Sequence, residues 1–496
     1  MKKSILSLSV IATLATSSFA VTDAKILEQL DVLMKQNAAL EAKLEKLSKK
    51  VNSTNKKLKR VSTTASTAKS LANGNHLKFN VDFRSSVDNI NYKMADGSKA
   101  SNDAFLATRL WLGAKYQASD NVIFFSTFSY NKAYGDSANH SQANTNPGYA
   151  NFDWVTNENA LDNSLKVKEA FFLYKNDTFM GLEMPWTASI GRRPSTGGLG
   201  ANFREDDSRK SALAHVVNVE FDGASFRWNL DGYLPALEGS SIKFCAGRGL
   251  TNAKARFQQD GTDYSTDTTK ENNLDMLGVI LVPYDNGQYS VHTQYSKAFD
   301  TIGFDANPTT GQPDSAAGFK SQGDLDLATV MFKAEGIGDE VNDFLDDTIF
   351  FASYAMSKTN PKTGHAMLGS TDSKTGNSYW LGLQTPGMLT KKGKLGLEWN
   401  HGDKYWRSVT YAEDTMIGSK VAARGTALEA YYTQPLTKAL SAQIRYTHIN
   451  YDYSGSNAFF GTGGTPMSID EAVAAGMGSQ VVKEATDIRA YIRYRY

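Results

Sequence analysis

The sequence predicts an all-β transmembrane barrel of 16 antiparallel strands, with 18 the alternative count, preceded by an N-terminal α-helical coiled coil. Three observations carry this expectation. From residue 76 onward apolar and polar residues alternate with a period of two, in about seventeen segments of roughly eight to twelve residues. The connections between the segments alternate between short turns and long polar loops. The chain finishes on "IRAYIRYRY", residues 488–496, a strictly alternating stretch whose last residue is a large aromatic.

The first residues, "MKKSILSLSVIATLATSSFA", join Lys2 and Lys3 to an apolar run from Ile5 to Ala15 and a small-x-small ending at Ser18-Phe19-Ala20. That is the layout of a secretory signal, so residues 1–20 are expected to be removed and the mature chain exported. No other stretch approaches the ~18 consecutive apolar residues that a membrane-crossing helix needs. The formal charge of +1 becomes −1 without Lys2 and Lys3, far from the strongly basic balance of a nucleic-acid binder. Cys245 is the one cysteine and cannot close an intrachain disulfide. Tyr (23), Phe (25) and Gly (40) are plentiful and Pro (11) is scarce, the ingredients of many strands.

Residues 21–61 step by three and four: Ile26, Leu30, Leu33, Asn37, Leu40, Leu44, Leu47, Val51, Thr54, Leu58, Val61. With Leu30 at a, Asn37 also falls at a, the position where a buried Asn fixes register or oligomer state. A heptad sustained this long implies self-association, dimer or trimer. Residues 21–75 hold 11 Lys and Arg against 5 Asp and Glu, so the segment is basic and the rest of the chain net negative. Such a segment, placed in the periplasm, could reach the anionic peptidoglycan as a spacer, or serve oligomerisation alone. Residues 62–75, "STTASTAKSLANGN", carry no apolar periodicity and read as a flexible linker.

Past Asn75 the period changes. "HLKFNVDF" sets Leu77, Phe79, Val81 and Phe83 against Lys78, Asn80 and Asp82. "LATRLWLGAKY" sets Leu106, Leu110 and Leu112 against Arg109, Gly113 and Lys115. "KLGLEWN" and "LSAQIRYTH" continue the pattern. Soluble sandwiches use strands of about five or six residues, whereas two-faced strands near ten residues match a membrane crossing. In hydrocarbon a β-structure spans only when closed, so residues 76–496 are expected to form a barrel whose last strand pairs with the first.

The closing segment resembles the C-terminal assembly signal of bacterial outer-membrane proteins, with Ile492, Tyr494 and Tyr496 as its alternating apolar positions; Tyr stands at the end where Phe is commonest. Together with the signal peptide, the two-faced ten-mers resemble the bacterial porin superfamily. A local match lies at "VKEAFFLYKNDTFMGLEMPWTASIGRRPSTGG", where Ala170, Phe171, Leu173, Tyr174, Gly191 and Arg192 fit a strand–turn–strand that precedes the pore loop of general porins. The coiled coil is a departure, shared with porin-like families of uncharacterised role. The resemblance implies an outer-membrane homotrimer in lipid, inserted by the barrel assembly machinery, that lets small hydrophilic solutes or ions diffuse.

By the same resemblance, residues 194–211 are a candidate constriction loop, with Glu205, Asp206 and Asp207 facing Arg192, Arg193, Arg204 or Arg209; the alternative is an ordinary loop with solvated charges. Alternation places Arg109, Arg445, Arg489, Arg493 and Arg495 toward the lumen, a hint of anion preference that the net negative barrel opposes. The seven histidines are scattered singly, so no metal or other cofactor is expected. Ser211 and His215 lie close in sequence, but no catalytic triad can be assembled around them, and no enzymatic activity is expected. The rival expectation is an adhesin or structural barrel acting through its long loops.

Overall fold

Leu106, Leu110 and Leu112 face out of the sheet and Arg109 faces in, and the same division repeats strand after strand until the sheet meets itself. The computed structural model describes residues 76–135, 165–193, 196–231, 238–252, 273–338, 341–390, 392–411 and 413–496, with Val32 and Met34–Gln36. The chain divides into two units, 1–75 and 76–496. In the first, the four described residues are helical and exposed. The signal peptide, the coiled coil with Asn37, and the linker otherwise lie outside the described residues.

The second unit is a closed barrel of 16 antiparallel strands. They are β1 (Leu77–Met94), β2 (Lys99–Gln117), β3 (Val122–Ala133), β4 (Lys166–Asn176), β5 (Trp186–Arg193), β6 (Phe221–Asn229), β7 (Ser241–Leu250), β8 (Leu274–Asp285), β9 (Tyr289–Gly303), β10 (Lys320–Glu335), β11 (Ile349–Pro361), β12 (Thr375–Pro386), β13 (Lys394–Gly402), β14 (Gly425–Pro435), β15 (Leu440–Tyr451) and β16 (Val482–Arg495). Each strand pairs with its sequence neighbour, and β16 pairs with β1 in the register Phe83↔Tyr494 and Arg84↔Arg493. The seam continues to the last residue, where Val81 N–H donates to the Tyr496 carbonyl at 2.9 Å and Tyr496 N–H donates back at 3.0 Å. No strand edge is left open, which is the condition for burying a sheet in hydrocarbon.

An even strand number returns both ends of the barrel to one rim. That rim carries the shorter connections, such as 118–121, 286–288 and 436–439, and is called here the turn rim; the opposite, loop rim carries segments such as 304–319, 403–424 and 452–481. Phe79, Phe124, Phe172, Ile190, Leu277, Leu381, Leu428, Ile444 and Ile492 stand exposed around the outside. So broad an apolar belt is stable facing lipid and costly facing water. Among the described residues no helix is long and apolar enough to cross a membrane, which does not bear on crossing by strands.

The interior is not simply polar. Leu325, Leu327 and Met331 of β10, Phe351 of β11 and Trp380 of β12 point inward and are buried against residues of the loops. One side of the barrel therefore has a packed apolar core, which the polar-lumen expectation did not include.

Candidate functional site in the barrel lumen

The segment between β5 and β6 turns into the barrel. Gly198–Leu199 pairs in parallel with part of Lys210–Leu213, and a single helical turn, Ala201–Arg204, lies between them. Two glycines make the turn possible. A Cβ at Gly198 would sit 1.8 Å from the Ala212 carbonyl oxygen, and one at Gly200, whose φ is +100°, would sit 2.4 Å from the Trp380 ring. Leu199, Phe203 and Leu213 then pack on Met331, Phe351 and Trp380, with the Phe203 and Phe351 rings stacked at 5.6 Å. Each such buried side chain contributes roughly 1.5–3 kcal/mol. His215 fixes the far end of the insertion, its Nδ1 2.8 Å from Ser353 Oγ and its Nε2 3.0 Å from Ser378 Oγ, between the Trp380 and Trp406 rings.

A second insertion, between β13 and β14, knits to the first: Val409–Thr410 pairs in parallel with Val217–Asn218. A third, between β15 and β16, adds Phe460 to the same apolar cluster as Trp406. The candidate site is the face these insertions turn toward β16, β1 and β2.

On that wall Arg493, Arg84 and Arg109 stand directly opposite one another across three strands, and Arg445 stands opposite Arg489. Like charges paired this way repel. Carboxylates from the wall and the insertions separate them. Asp414 binds Arg84 at 2.5 Å and Arg109 at 2.7 Å, and lies 3.7 Å from Arg489. Glu205 lies 3.1 Å from Arg445, 3.7 Å from Arg493 and 3.9 Å from Arg84. Asp82 bonds Arg493, and Asp88 bonds Arg489. Arg204 reaches the Glu413 carbonyl at 2.6 Å and lies 3.4 Å from the Glu429 carboxylate. Burial alone would raise the Glu205 carboxyl, but Arg204, Arg445 and Arg84 together hold it well below the usual range. Asp414 is held down likewise, against its burial, by Arg84 and Arg109.

The residues singled out from the sequence thus divide. Arg109, Arg445, Arg489 and Arg493 face inward and are buried, and Arg495 lies at the turn rim bonded to Asp207 at 3.0 Å. Arg204, Glu205 and Asp207 share the charge cluster, while Asp206 pairs with Lys394 at 2.6 Å. Arg192, Arg193 and Arg209 face elsewhere. Arg192 pairs with Glu220 at 2.5 Å and Asp222 at 3.1 Å, Arg193 lies over the Phe171 ring, and Arg209 lies 3.2 Å from His292. The acids paired with the wall arginines are therefore Glu205, Asp207 and Asp414 of the insertions and Asp82 and Asp88 of β1, with the arginines on β1, β2, β15 and β16 as partners. Alternation placed Asp82 on the polar face of its strand but gave it no role, and Asp88, Asp414, Glu413 and Glu429 carried no expectation. Asp82 and Asp88 share the inward parity of Arg84, the signal that could have found them.

Between the first insertion and the wall of β1–β4 a cavity of about 670 Å3 remains. Trp111, Lys115, Phe125 and Thr127 line its wall side, and Asn202 and Asp207 its loop side. Lys210 and Glu169 bridge the two sides at 2.6 Å. The cavity reaches the turn rim at Arg495 and Tyr496.

Residues 99–496 match a protein family described as a protein of unknown function, DUF3373. The chain belongs to DUF3373. Among curated proteins none matches the sequence. Solved structures similar to it include Pseudomonas putida OprB, 13% identical with a TM-score of 0.47 over 85% of this chain and 94% of that one. Salmonella typhi OmpF, in complex with daunomycin, is 11% identical with a TM-score of 0.44, covering 85% and 98%. The anion-selective porin from Comamonas acidovorans is 10% identical with a TM-score of 0.44, covering 85% and 99%. The DUF3373 match begins at Lys99, the first residue of β2, so β1 with Asp82, Arg84 and Asp88 precedes it. Arg109, Arg204, Glu205, Asp414 and the arginines of β15 and β16 all fall inside it.

Proposed function

We propose that this DUF3373 barrel is an outer-membrane channel for the passive diffusion of small hydrophilic solutes or ions, through a path narrowed rather than closed by its insertions. The observation that carries this is the cavity left between the first insertion and the β1–β4 wall, while the opposite side is packed with Trp380, Trp406, Met331 and Leu327. A barrel of 16 strands is wide enough to leave an aqueous path when only part of it is filled. Irregular backbone at membrane depth is tolerated where it is buried in protein or lines water, as the first insertion does.

In this reading Arg204, Glu205 and Asp207, with the Lys210–Glu169 bridge, form the constriction, and Arg109, Arg493 and Arg495 supply its fixed wall. Arg192, Arg193 and Arg209 flank it. Export by the N-terminal signal, assembly read from Ile492, Tyr494 and Tyr496, a homotrimeric state and a spacer role toward peptidoglycan for the basic residues 21–61 belong to the same proposal. Ile492 and Tyr494 support it by standing exposed on the barrel exterior, and Tyr496 by its exposure at the turn rim.

The test is single-channel conductance of the purified, heat-modifiable protein in planar bilayers. Wild type opens in steps, and Thr127→Trp, which places a large ring in the cavity, lowers the step size. Silence from folded wild-type protein overturns the channel and moves function to the long loops.

A further inference from the structure

At the loop rim, away from the constriction, a cavity of about 510 Å3 lies among the top of β1, the β9–β10 loop and the β15–β16 loop. Tyr92, Gln312, Tyr453, Asn457 and Gln480 line it, and no Asp, Glu, Lys or Arg does. Its size is that of a small-ligand site.

Directly behind one wall are two buried arginines of unusual circumstance. Arg407 and Arg424 are fully buried, and among the described residues neither has a carboxylate within ion-pairing distance. Their donors go mainly to backbone carbonyls instead, with Arg407 also donating to the Tyr411 hydroxyl and lying over the Tyr411 and Phe460 rings. Arg407 donates to Ser456 O at 2.8 Å and also to Ala458 O; Arg424 donates to Ser454 O at 2.9 Å and Gly464 O at 2.8 Å. Arg424 Nη2 is buried with no partner. Burial, with Arg407 beside it, pulls Arg424 down to about 9, against the weaker opposing pull of Asp403 and Tyr405. Every arginine of the lumen cluster has an acid in ion-pairing contact; among the described residues these two do not, and a buried charge without a direct counter-charge is costly.

The peptide geometry says which way the compensation would come. In a trans peptide the C=O and the following N–H point in opposite directions. With the Ser454 and Ser456 carbonyls turned to the guanidiniums, the N–H groups of Gly455 and Asn457 point away from them, on the stretch that lines the cavity. The N–H groups of Gly455, Ser456 and Asn457 donate to no acceptor among the described residues. Gly455 has a φ of +79°, the left-handed conformation that backbone nests use, and successive N–H groups in a nest form an anion-binding concavity.

We infer that the loop-rim cavity is an anion site, taking a phosphate group on the Gly455–Asn457 N–H groups in the field of Arg407 and Arg424. The group could belong to a lipid headgroup at the membrane surface or to a free phosphate, and the chemistry is the same. A neutral ligand would use the tyrosines and amides but would leave both guanidiniums uncompensated.

Inorganic phosphate and dihexanoyl phosphatidic acid, titrated separately into the detergent-folded full barrel, test this by thermal unfolding and calorimetry. At least one probe raises the unfolding temperature saturably, and the tighter of the two names the source. Asn457→Asp leaves the backbone N–H in place but sets a carboxylate in the cavity, and weakens that probe about tenfold or more. Gln480→Glu serves the same purpose should Asn457→Asp lose heat-modifiability. No binding of either probe to wild type, or equal binding to the folded variant, overturns the assignment.

Discussion

His215 shows how one residue couples the loop to the medium. Burial pushes its imidazole down to about 3, against an ordinary value of 6.5. With the loop seated the ring stays neutral; with the loop released it takes a proton below pH 6.5. The released state then binds more protons, so seating weakens by about 1.4 kcal/mol per pH unit as pH falls from 6.5 toward 3. Opening of the channel in bilayers is therefore expected to rise on acidification through this window. His215→Gln keeps a donor and an acceptor for Ser353 and Ser378 but cannot be protonated, and flattens the response between pH 6.5 and about 4.5; an unchanged profile would remove His215 as the cause. The side-chain directions of the wall arginines were legible from alternation alone. Their partners were not, because Asp414 lies 330 residues along the chain from Arg84 and nothing local joins them.

Alternation and turn length give a strand and its orientation; they say nothing about a loop that returns into the barrel. The insertion between β5 and β6 was legible only through its likeness to a pore loop. The other two carried a weaker sign, large apolar residues inside polar loops, Trp406 in "KYWRSV" and Phe460 in "NAFFGT". β10 carried a clearer one. Near the loop rim Asp324 and Asp326 face out while Leu325 and Leu327 face in, the reverse of the usual division, and a reversed strand end means that the interior there is filled with protein. The seat of the first insertion rests on a contact with no spare room. Gly200→Val adds a branched side chain where even a Cβ meets the Trp380 ring, at a φ of +100° that a β-branched residue avoids. The cost is about 1–3 kcal/mol, and moving the loop relieves it. The strands are untouched, so the variant is expected to stay heat-modifiable on gels while its conductance step grows. A smaller step would show that the loop holds the path open instead of narrowing it.

At the scale of the whole barrel the sequence pointed to closure, since two-faced strands in hydrocarbon need a sheet without edges, and β16 does meet β1. It was misleading about charge. Five inward arginines read in isolation suggest a positive lumen, yet Asp82, Asp88, Glu205, Asp207 and Asp414 lie among them within bonding or ion-pairing distance. Interleaved opposite charges cancel beyond a few ångströms, and salt screens the remainder within a Debye length of about 10 Å at 0.1 M. The field along the path is then set by the groups that line the remaining cavity, above all Lys115, Lys210, Glu169 and Asp207. Those groups are of both signs, so the reversal potential across a tenfold KCl gradient is expected to be small. Lys210→Glu removes a cation and leaves Glu169 without its 2.6 Å partner, and is expected to shift the reversal potential toward cation preference. Strong anion selectivity in the wild type would mean that the wall arginines meet the permeating ion unpaired, and that the insertions do not stay seated against β1, β2, β15 and β16 in the conducting state.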